Sequence, residues 1–322
     1  MNTQQFVNRL EDLINQEGFS ALVFFAMKSP EGIVLKKANI LADVLASVAE
    51  DYKNSIIREL DRFMHDDQMS VLNLSDRDER ANVIYRYDIP DDEPSFFASM
   101  REPFSDPAIN YTGDKLFNFD IDSFSNISYF VIALGTDANH IVVYRDNFNV
   151  NLMKQGAGKV FLSKSGTQIT RVSEDILRMD SQIDCMLIDD DYFIVNLKNL
   201  DTSREFASII QQRAEKSLDE IAQLPFVDNV EGLREHLEDL SFARRLMRAM
   251  DNTPVTRIPA EDVLSFVRNH QSLSRVLHIE GDKFKLGSKR AQSAFISLLN
   301  DDFLYSKLTQ RDYESSAKDQ MR

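Results

Sequence analysis

The chain has one cysteine, Cys185, so no disulfide can form within it and no zinc cluster can be built on thiolates. That usage fits a reducing cytoplasm. Cys185 lies inside the apolar stretch Ile183 to Ile188, where a small buried hydrophobe is expected and a nucleophile is not. Long apolar runs are missing too. Ala21 to Met27 and Tyr129 to Leu134 are strand-length, far short of the roughly 20 residues that cross a bilayer. The opening Met1-Asn2-Thr3-Gln4-Gln5 offers neither a basic flank nor an apolar signal region, so export is not expected. Positive charge is scarce: 37 Lys and Arg stand against 52 Asp and Glu, a formal net charge of -15. This excludes a protein that coats nucleic acid through bulk charge. It does not exclude DNA, because screening over about 8 Å at physiological salt makes the local patch decisive rather than the total.

What is present is enough for a full core. At 322 residues, 43% hydrophobic and with 22 Phe, the chain is globular and long enough for two domains. Phe6, Leu10, Leu13 and Ile14 make one helical stripe, and Ser20 to Lys28 with Ile33 to Lys36 read as a hairpin turned by Ser29-Pro30-Glu31-Gly32. Leu41 to Leu60 keep helical spacing over several turns. Val71 to Leu74 and Val83 to Tyr87 read as short strands around the charged loop Asp76-Arg77-Asp78-Glu79-Arg80. The carboxylates of residues 88–106 invite a metal, but Pro90, Pro94, Pro103 and Pro107 make an irregular solvated loop the expected structure there. Ile127 to Leu134 and Ile141 to Tyr144 form a second hairpin, with His140 at its turn as polar surface. Ile183 to Ile188 and Tyr192 to Leu197 form another around Asp189-Asp190-Asp191.

After Leu200 the pattern becomes helical. Thr202 with Glu205 reads as a capping box opening a helix to Pro225, Val230 to Met247 reads as the next helix, and Pro259 opens a third. The expected class is therefore α+β: an N-terminal domain, 1–200, of mixed α/β character with largely antiparallel hairpins, and a C-terminal domain, 201–322, mainly helical with a β-hairpin. In that hairpin Glu280-Gly281-Asp282 is the turn, and Lys283-Phe284-Lys285-Leu286 alternates between faces. Ser288 then caps a helix whose first turn holds Lys289 and Arg290, and two further helix starts are expected after it.

Two windows invert the charge of the chain. Residues 147–173 hold Lys154, Lys159, Lys164 and Arg171 and no acid, with Gly156-Ala157-Gly158 and Lys164-Ser165-Gly166-Thr167 bracketing the strand Lys159 to Leu162. These glycines lack the Gly-Lys-Ser/Thr ending of a nucleotide-binding loop, so ATP cradling is not supported. Residues 241–257 hold Arg244, Arg245, Arg248 and Arg257 against Asp251. A solvated hairpin and a helix C-terminus satisfied by arginines account for the same residues.

The order Phe295-Ile296-Ser297-Leu298-Leu299-Asn300-Asp301-Asp302-Phe303-Leu304-Tyr305-Ser306-Lys307-Leu308-Thr309, then Tyr313 and Lys318, resembles the closing signature of the KwaB family of the bacterial Kiwa anti-phage defence system. The resemblance implies a cytoplasmic, non-enzymatic effector that binds DNA with little sequence preference. It also implies a homodimer, recruited to the inner membrane by docking onto a KwaA-like membrane protein without inserting itself. The phosphate-neutralising residues expected for it are Lys154, Lys159, Lys164 and Arg171 in one patch, and Arg244, Arg245, Arg248, Lys283, Lys285, Lys289 and Arg290 in the other. No cofactor and no catalytic residue is expected. Asn300-Asp301-Asp302 is expected to cap and pack rather than touch DNA. Two alternatives stay open: a metal-dependent nuclease or nucleotide hydrolase using Asp88, Asp91, Asp189 and Asp190, and a DNA-independent adaptor.

Overall fold

Residues 20–29 form the strand on which the first half of the molecule is built, since the run Val23 to Met27 is buried throughout and needs cover on both faces. In the computed structural model the chain runs α1 (Thr3–Ile14), β1 (Ser20–Ser29), β2 (Gly32–Lys37), α2 (Ala42–His65), β3 (Ser70–Asn73), β4 (Val83–Arg86) and α3 (Ser95–Ser105). There follow β5 (Ile127–Gly135), β6 (His140–Asp146), β7 (Leu152–Met153), β8 (Leu162–Ser165), β9 (Gln168–Arg171), β10 (Ile176–Leu177), β11 (Cys185–Ile188) and β12 (Asp191–Ile194). The remainder is α4 (Leu197–Leu200), α5 (Arg204–Ile221), α6 (Glu231–Arg234), α7 (Leu240–Asp251), α8 (Ala260–Asn269), β13 (His278–Glu280), β14 (Lys283–Lys285), α9 (Lys289–Leu299), β15 (Phe303–Ser306) and β16 (Arg311–Glu314). The structure describes residues 1–66, 69–76, 82–89, 92–105, 111–148, 151–153, 162–165, 168–172, 174–251, 255–306, 308–309 and 311–315. The class is α+β with antiparallel hairpins and a largely helical C-terminal region, as the sequence implies.

Two compact units make up the chain: Met1–Val71 with Ser95–Asn199, and Leu72–Pro94 with Leu200–Arg322. The second unit thus takes residues 72–94 from within the stretch expected to form the N-terminal domain.

In the first unit the strand order is β2-β1-β5-β6-β11-β12, every neighbouring pair antiparallel. Alternation along β12 shows how both faces are covered. Tyr192 stacks on Phe97 of α3 with ring centroids 3.6 Å apart, while Phe193 points the other way and meets Phe6 of α1 at 4.8 Å. Phe6 in turn touches Phe63 of α2. On the α3 side, Phe96 lies against Tyr144 and Tyr129. Each such fully buried ring contributes about 1.5–3 kcal/mol.

Helix α3 overturns the expectation of an irregular loop through residues 88–106. Its buried Phe96, Phe97 and Met100 recur at helical spacing, and Pro103, inside the last turn, costs the helix a single i→i−4 bond close to its end. Of the loop's predicted features, Pro90, Asp91, Asp106 and Pro107 lie outside the described residues, as do residues 77–80 of the preceding charged loop.

A buried ion cluster closes the end of the first unit's sheet. Arg145 on β6 donates bidentately to Asp184, which is fully buried, and with its other edge to both oxygens of Asp180 at 2.8 and 3.0 Å. Asp184 also accepts from the Asp146 backbone N–H and from the Asn199 amide. Burial alone pushes the Asp180 carboxyl up, but the hydrogen bonds and charge of Arg145 outweigh it and hold its pKa below the usual carboxylate value. Cys185, next along β11, is fully buried, and that burial pushes its thiol up, away from nucleophilic chemistry.

In the second unit α5, α7 and α9 share a core of Phe206, Ile210, Leu218, Leu246, Met247, Phe295 and Leu299. Ser203, not Thr202, caps α5, its hydroxyl accepting from the Phe206 N–H. The single helix expected from Val230 to Met247 is broken, because the Asp239 carboxylate accepts from the Ser241 and Phe242 N–H groups and starts α7 afresh. Hairpin β13–β14 pairs Glu280 with Lys283 across Gly281 and Asp282, both at positive φ, the two-residue turn that matches strand twist. Gly232 on α6 permits a close approach: a Cβ there would sit 2.3 Å from Gln292 Nε2, which is held by the Leu286 carbonyl.

The two helix starts expected after α9 are instead a hairpin, β15–β16, with Leu304 opposite Tyr313 and Tyr305 opposite Asp312. Asn300 ends α9, Asp301 takes positive φ, and the N–H groups of Asp302 and Asp301 return to the carbonyls of Ser297 and Leu298. This is a Schellman cap with Asp where Gly is usual. Asn300-Asp301-Asp302 is therefore a capping feature, as expected, and it directs the chain into β15.

Candidate nucleic-acid interface

The three arginines of α7 are drawn into the second unit. Arg244 is bonded to Asp201 at 2.6 Å. Arg245 donates to the Ser297 hydroxyl at 2.8 Å and lies 3.7 Å from the buried Asp302, while the Asn300 amide donates to the Arg245 carbonyl. Ser297 in turn donates to Glu314 on β16. Arg245 is thus the cation of the closing signature, tying α7, the α9 cap and the last hairpin into one network. Arg248 is only 2% exposed; its Nε donates to the Leu74 carbonyl and its guanidinium lies over the Tyr85 ring. A cation so enclosed cannot reach a phosphate, and the expectation for Arg248 is corrected accordingly. The helix period turns one face of α7 inward, which takes Arg248 with it and leaves Arg244 and Arg245 at the edges of that face.

The residues from 283 to 290 behave differently. Lys283, Lys289 and Arg290 are exposed, and among the described residues none of their side chains has a hydrogen bond or an ion pair within 4.0 Å. Lys289 and Arg290 occupy the first turn of α9, which contains no acid, so their charges add to the positive end of the helix. Lys285 is half-buried and bonded to Asp228 at 2.7 Å, with Glu280 3.4 Å away. Its hydrogen bond to Asp228 raises the Lys285 pKa and lowers that of Asp228, so its charge is answered within the protein. Asp282 on the same hairpin is taken by Arg268 at 2.8 Å.

In the first unit, Arg171 is exposed on β9 opposite Leu162, and Lys164 lies on β8 opposite Ile169. Lys164 and Ser165 are strand residues rather than the turn that was expected. Lys154, Lys159 and the Gly156-Ala157-Gly158 segment lie outside the described residues.

Two of the carboxylates considered for metal chemistry, Asp88 and Asp189, are separately engaged. Asp88 accepts from the Ser75 N–H and hydroxyl, and Asp189, at positive φ in the β11–β12 turn, pairs with Arg9 at 3.3 Å. Asp91 lies outside the described residues. Among the described residues no three His, Cys, Asp or Glu side chains converge on one point. His140 begins β6 instead of sitting at a turn; its ring stacks on Phe104 at 3.8 Å, and burial lowers its pKa.

A family model described as Kiwa protein KwaB-like matches residues 124–309, more than half of the chain. The chain belongs to the KwaB-like family. The matched span includes the sheet strands β5, β6, β11 and β12, the arginines of α7, the exposed cations at the start of α9 and the Schellman cap. Along its whole length this KwaB-like chain is also similar to Kiwa protein KwaB of Escherichia coli O55:H7 (strain RM12579 / EPEC), 26% identical over 327 residues that cover 100% of this chain and 99% of the relative. No solved structure matches it. The KwaB-like chain is accordingly a component of the Kiwa anti-phage defence system. None of its helices, among the described residues, is long and apolar enough to cross a membrane.

One polar group of residues escaped the sequence reading. Arg58 and Arg62 stand one turn apart on α2 and line a recess with Ser55, Ser181, Gln182 and Asn196. Their i,i+4 spacing was the available signal, hidden in a helix whose apolar stripe dominates its pattern.

Proposed function

We propose that this KwaB-like protein is a non-enzymatic anti-phage effector that binds DNA with little sequence preference and works with a KwaA-like membrane protein to block phage DNA replication or expression. The observation that carries the reading is a set of three exposed cations close together in the chain, Lys283 on β14 and Lys289 and Arg290 in the first turn of α9, inside a chain of net charge -15. Such a set, with Arg171 as a further exposed cation on the first unit, offers phosphate contacts and no base-reading array. Affinity would then come mainly from counterion release and fall as salt rises. Arg244, Arg245 and Arg248 hold the fold that presents this set, and Lys285 with Asp228 fixes its hairpin.

Fluorescence anisotropy with a labelled duplex across a salt series tests this. Binding at low salt, with a log–log slope of about -2 to -4 and little change between unrelated sequences, is expected for three or four phosphate contacts. No binding at low salt would overturn the proposal. Incubation with plasmid and Mg²⁺ or Mn²⁺ should leave the DNA intact. Co-purification with the KwaA-like protein, and a mass of twice the chain by light scattering, are expected for the assembly.

A further inference from the structure

The chain is strongly acidic, yet the recess beside α2 in the first unit is not. About 520 Å³ in volume, it is lined by Arg58, Arg62, Ser55, Ser181, Gln182 and Asn196, and its one carboxylate, Glu59, is already bonded by Arg62. Another concave pocket of this unit makes a useful contrast. There Arg9 and Arg101 are matched by Asp189 and Asp190, which leaves no excess charge.

The walls of the recess are fixed before any ligand arrives. Arg58 donates to the Ser55 hydroxyl at 2.7 Å, and Ser55 meets the Ser181 hydroxyl at 2.9 Å. The turn carrying Ser181 and Gln182 is anchored on one side by the Tyr52 hydroxyl, which donates to the Asp180 carbonyl. On the other side it is anchored by the Asp180 carboxylate, which accepts from Arg145 and from the Gln182 N–H. The Asn196 carbonyl oxygen accepts from the Asn199 N–H, so the amide has its N–H₂ group left to offer. Guanidinium, hydroxyl and amide donors therefore come from three separate segments and surround one volume.

We infer that this recess binds a phosphomonoester: the terminal phosphate of a nucleotide or of a DNA end. A phosphodiester within a strand shows two free oxygens and carries sugar on both sides, so it suits donors set along a groove. A terminal phosphate shows three oxygens and extra charge, which suits donors converging from three sides and a bidentate guanidinium. The site shares no residue with the set Lys283, Lys289 and Arg290 and does not depend on it.

The full-length protein is titrated calorimetrically with inorganic phosphate, thymidine 5′-monophosphate, and a short single-stranded oligonucleotide bearing either a 5′-phosphate or a 5′-hydroxyl. The 5′-phosphate should tighten oligonucleotide binding by about tenfold or more, as charge-assisted hydrogen bonds imply. Arg58→Gln/Arg62→Gln should abolish that difference, and since both side chains are substantially exposed the melting temperature should hold. Mononucleotide binding as tight as the phosphorylated oligonucleotide identifies a free nucleotide as the ligand; tighter binding of the oligonucleotide identifies a DNA end. Charge reversal at Lys283, Lys289 and Arg290 should leave the 5′-phosphate preference intact, so failure of the DNA reading and failure of this one are separable. The inference is overturned if the 5′-phosphate makes no difference, if the arginine double variant keeps the preference, or if the C-terminal reversal removes it.

Discussion

Arg244, Arg245 and Arg248 lie some forty residues before Lys283, Lys289 and Arg290 in the sequence, and both groups read as basic patches in an acidic chain. Inside the second unit they part. The α7 arginines are each answered by a carboxylate, a hydroxyl, a carbonyl or an aromatic face, whereas the three later cations stand open to solvent. Charge excess in a sequence window measures what is nearby along the chain, while a phosphate meets only what is left after folding has matched its own ions. The comparison separates cations that hold the protein from cations that can hold a ligand.

If that division is right, substitutions on the two sides should differ in kind. The largest loss of stability is expected in the first unit's buried cluster: Arg145→Gln leaves Asp184 enclosed without its partner, at a cost of about 3–5 kcal/mol in urea unfolding. Arg248→Ala comes next, losing its carbonyl bond, its contact with Tyr85 and its packing, about 3 kcal/mol, while DNA affinity of the folded fraction stays unchanged. Gly232→Ala drives a methyl into Gln292 and should cost about 1–3 kcal/mol. A smaller effect sharpens the role of Asp180. Its folded pKa is depressed, so its contribution is full above the unfolded carboxylate pKa of about 3.9 and is lost as pH falls through the folded value. Unfolding measured between pH 5 and pH 2 should show stability declining below about pH 4, and the decline should be shallower in Asp180→Asn.

Much of this fold is legible from alternation and helical spacing. The β1–β2, β5–β6 and β11–β12 hairpins, and α1, α2, α5, α8 and α9, follow directly from where apolar residues recur. The exceptions have physical reasons. Prolines around α3 mask a helix whose buried Phe96, Phe97 and Met100 outweigh the one i→i−4 bond that Pro103 removes, and an aspartate side chain breaks the stretch from 230 to 247 through a cap that no periodicity reveals. After Asn300 the aromatic run Phe303 to Tyr305 reads as helix start or strand with equal ease; the Schellman cap at Asp301, a local turn that lacks its usual Gly signal, directs the chain into the strand. The candidate site was half legible. Lys283, Lys289 and Arg290 were found from their position around a turn and a cap, while the inward direction of Arg248 depends on residues 74 and 85, far away in the chain.

The most direct test sets the two groups of cations side by side on one duplex. Anisotropy titrations compare wild type, Lys283→Glu/Lys289→Glu/Arg290→Glu and Arg244→Gln. The triple reversal should weaken binding by about tenfold or more at low salt and flatten the salt slope by about 3, with an unchanged melting temperature, and Arg244→Gln should bind as wild type does. Full affinity in the triple variant, or loss of affinity confined to Arg244→Gln, would contradict the account.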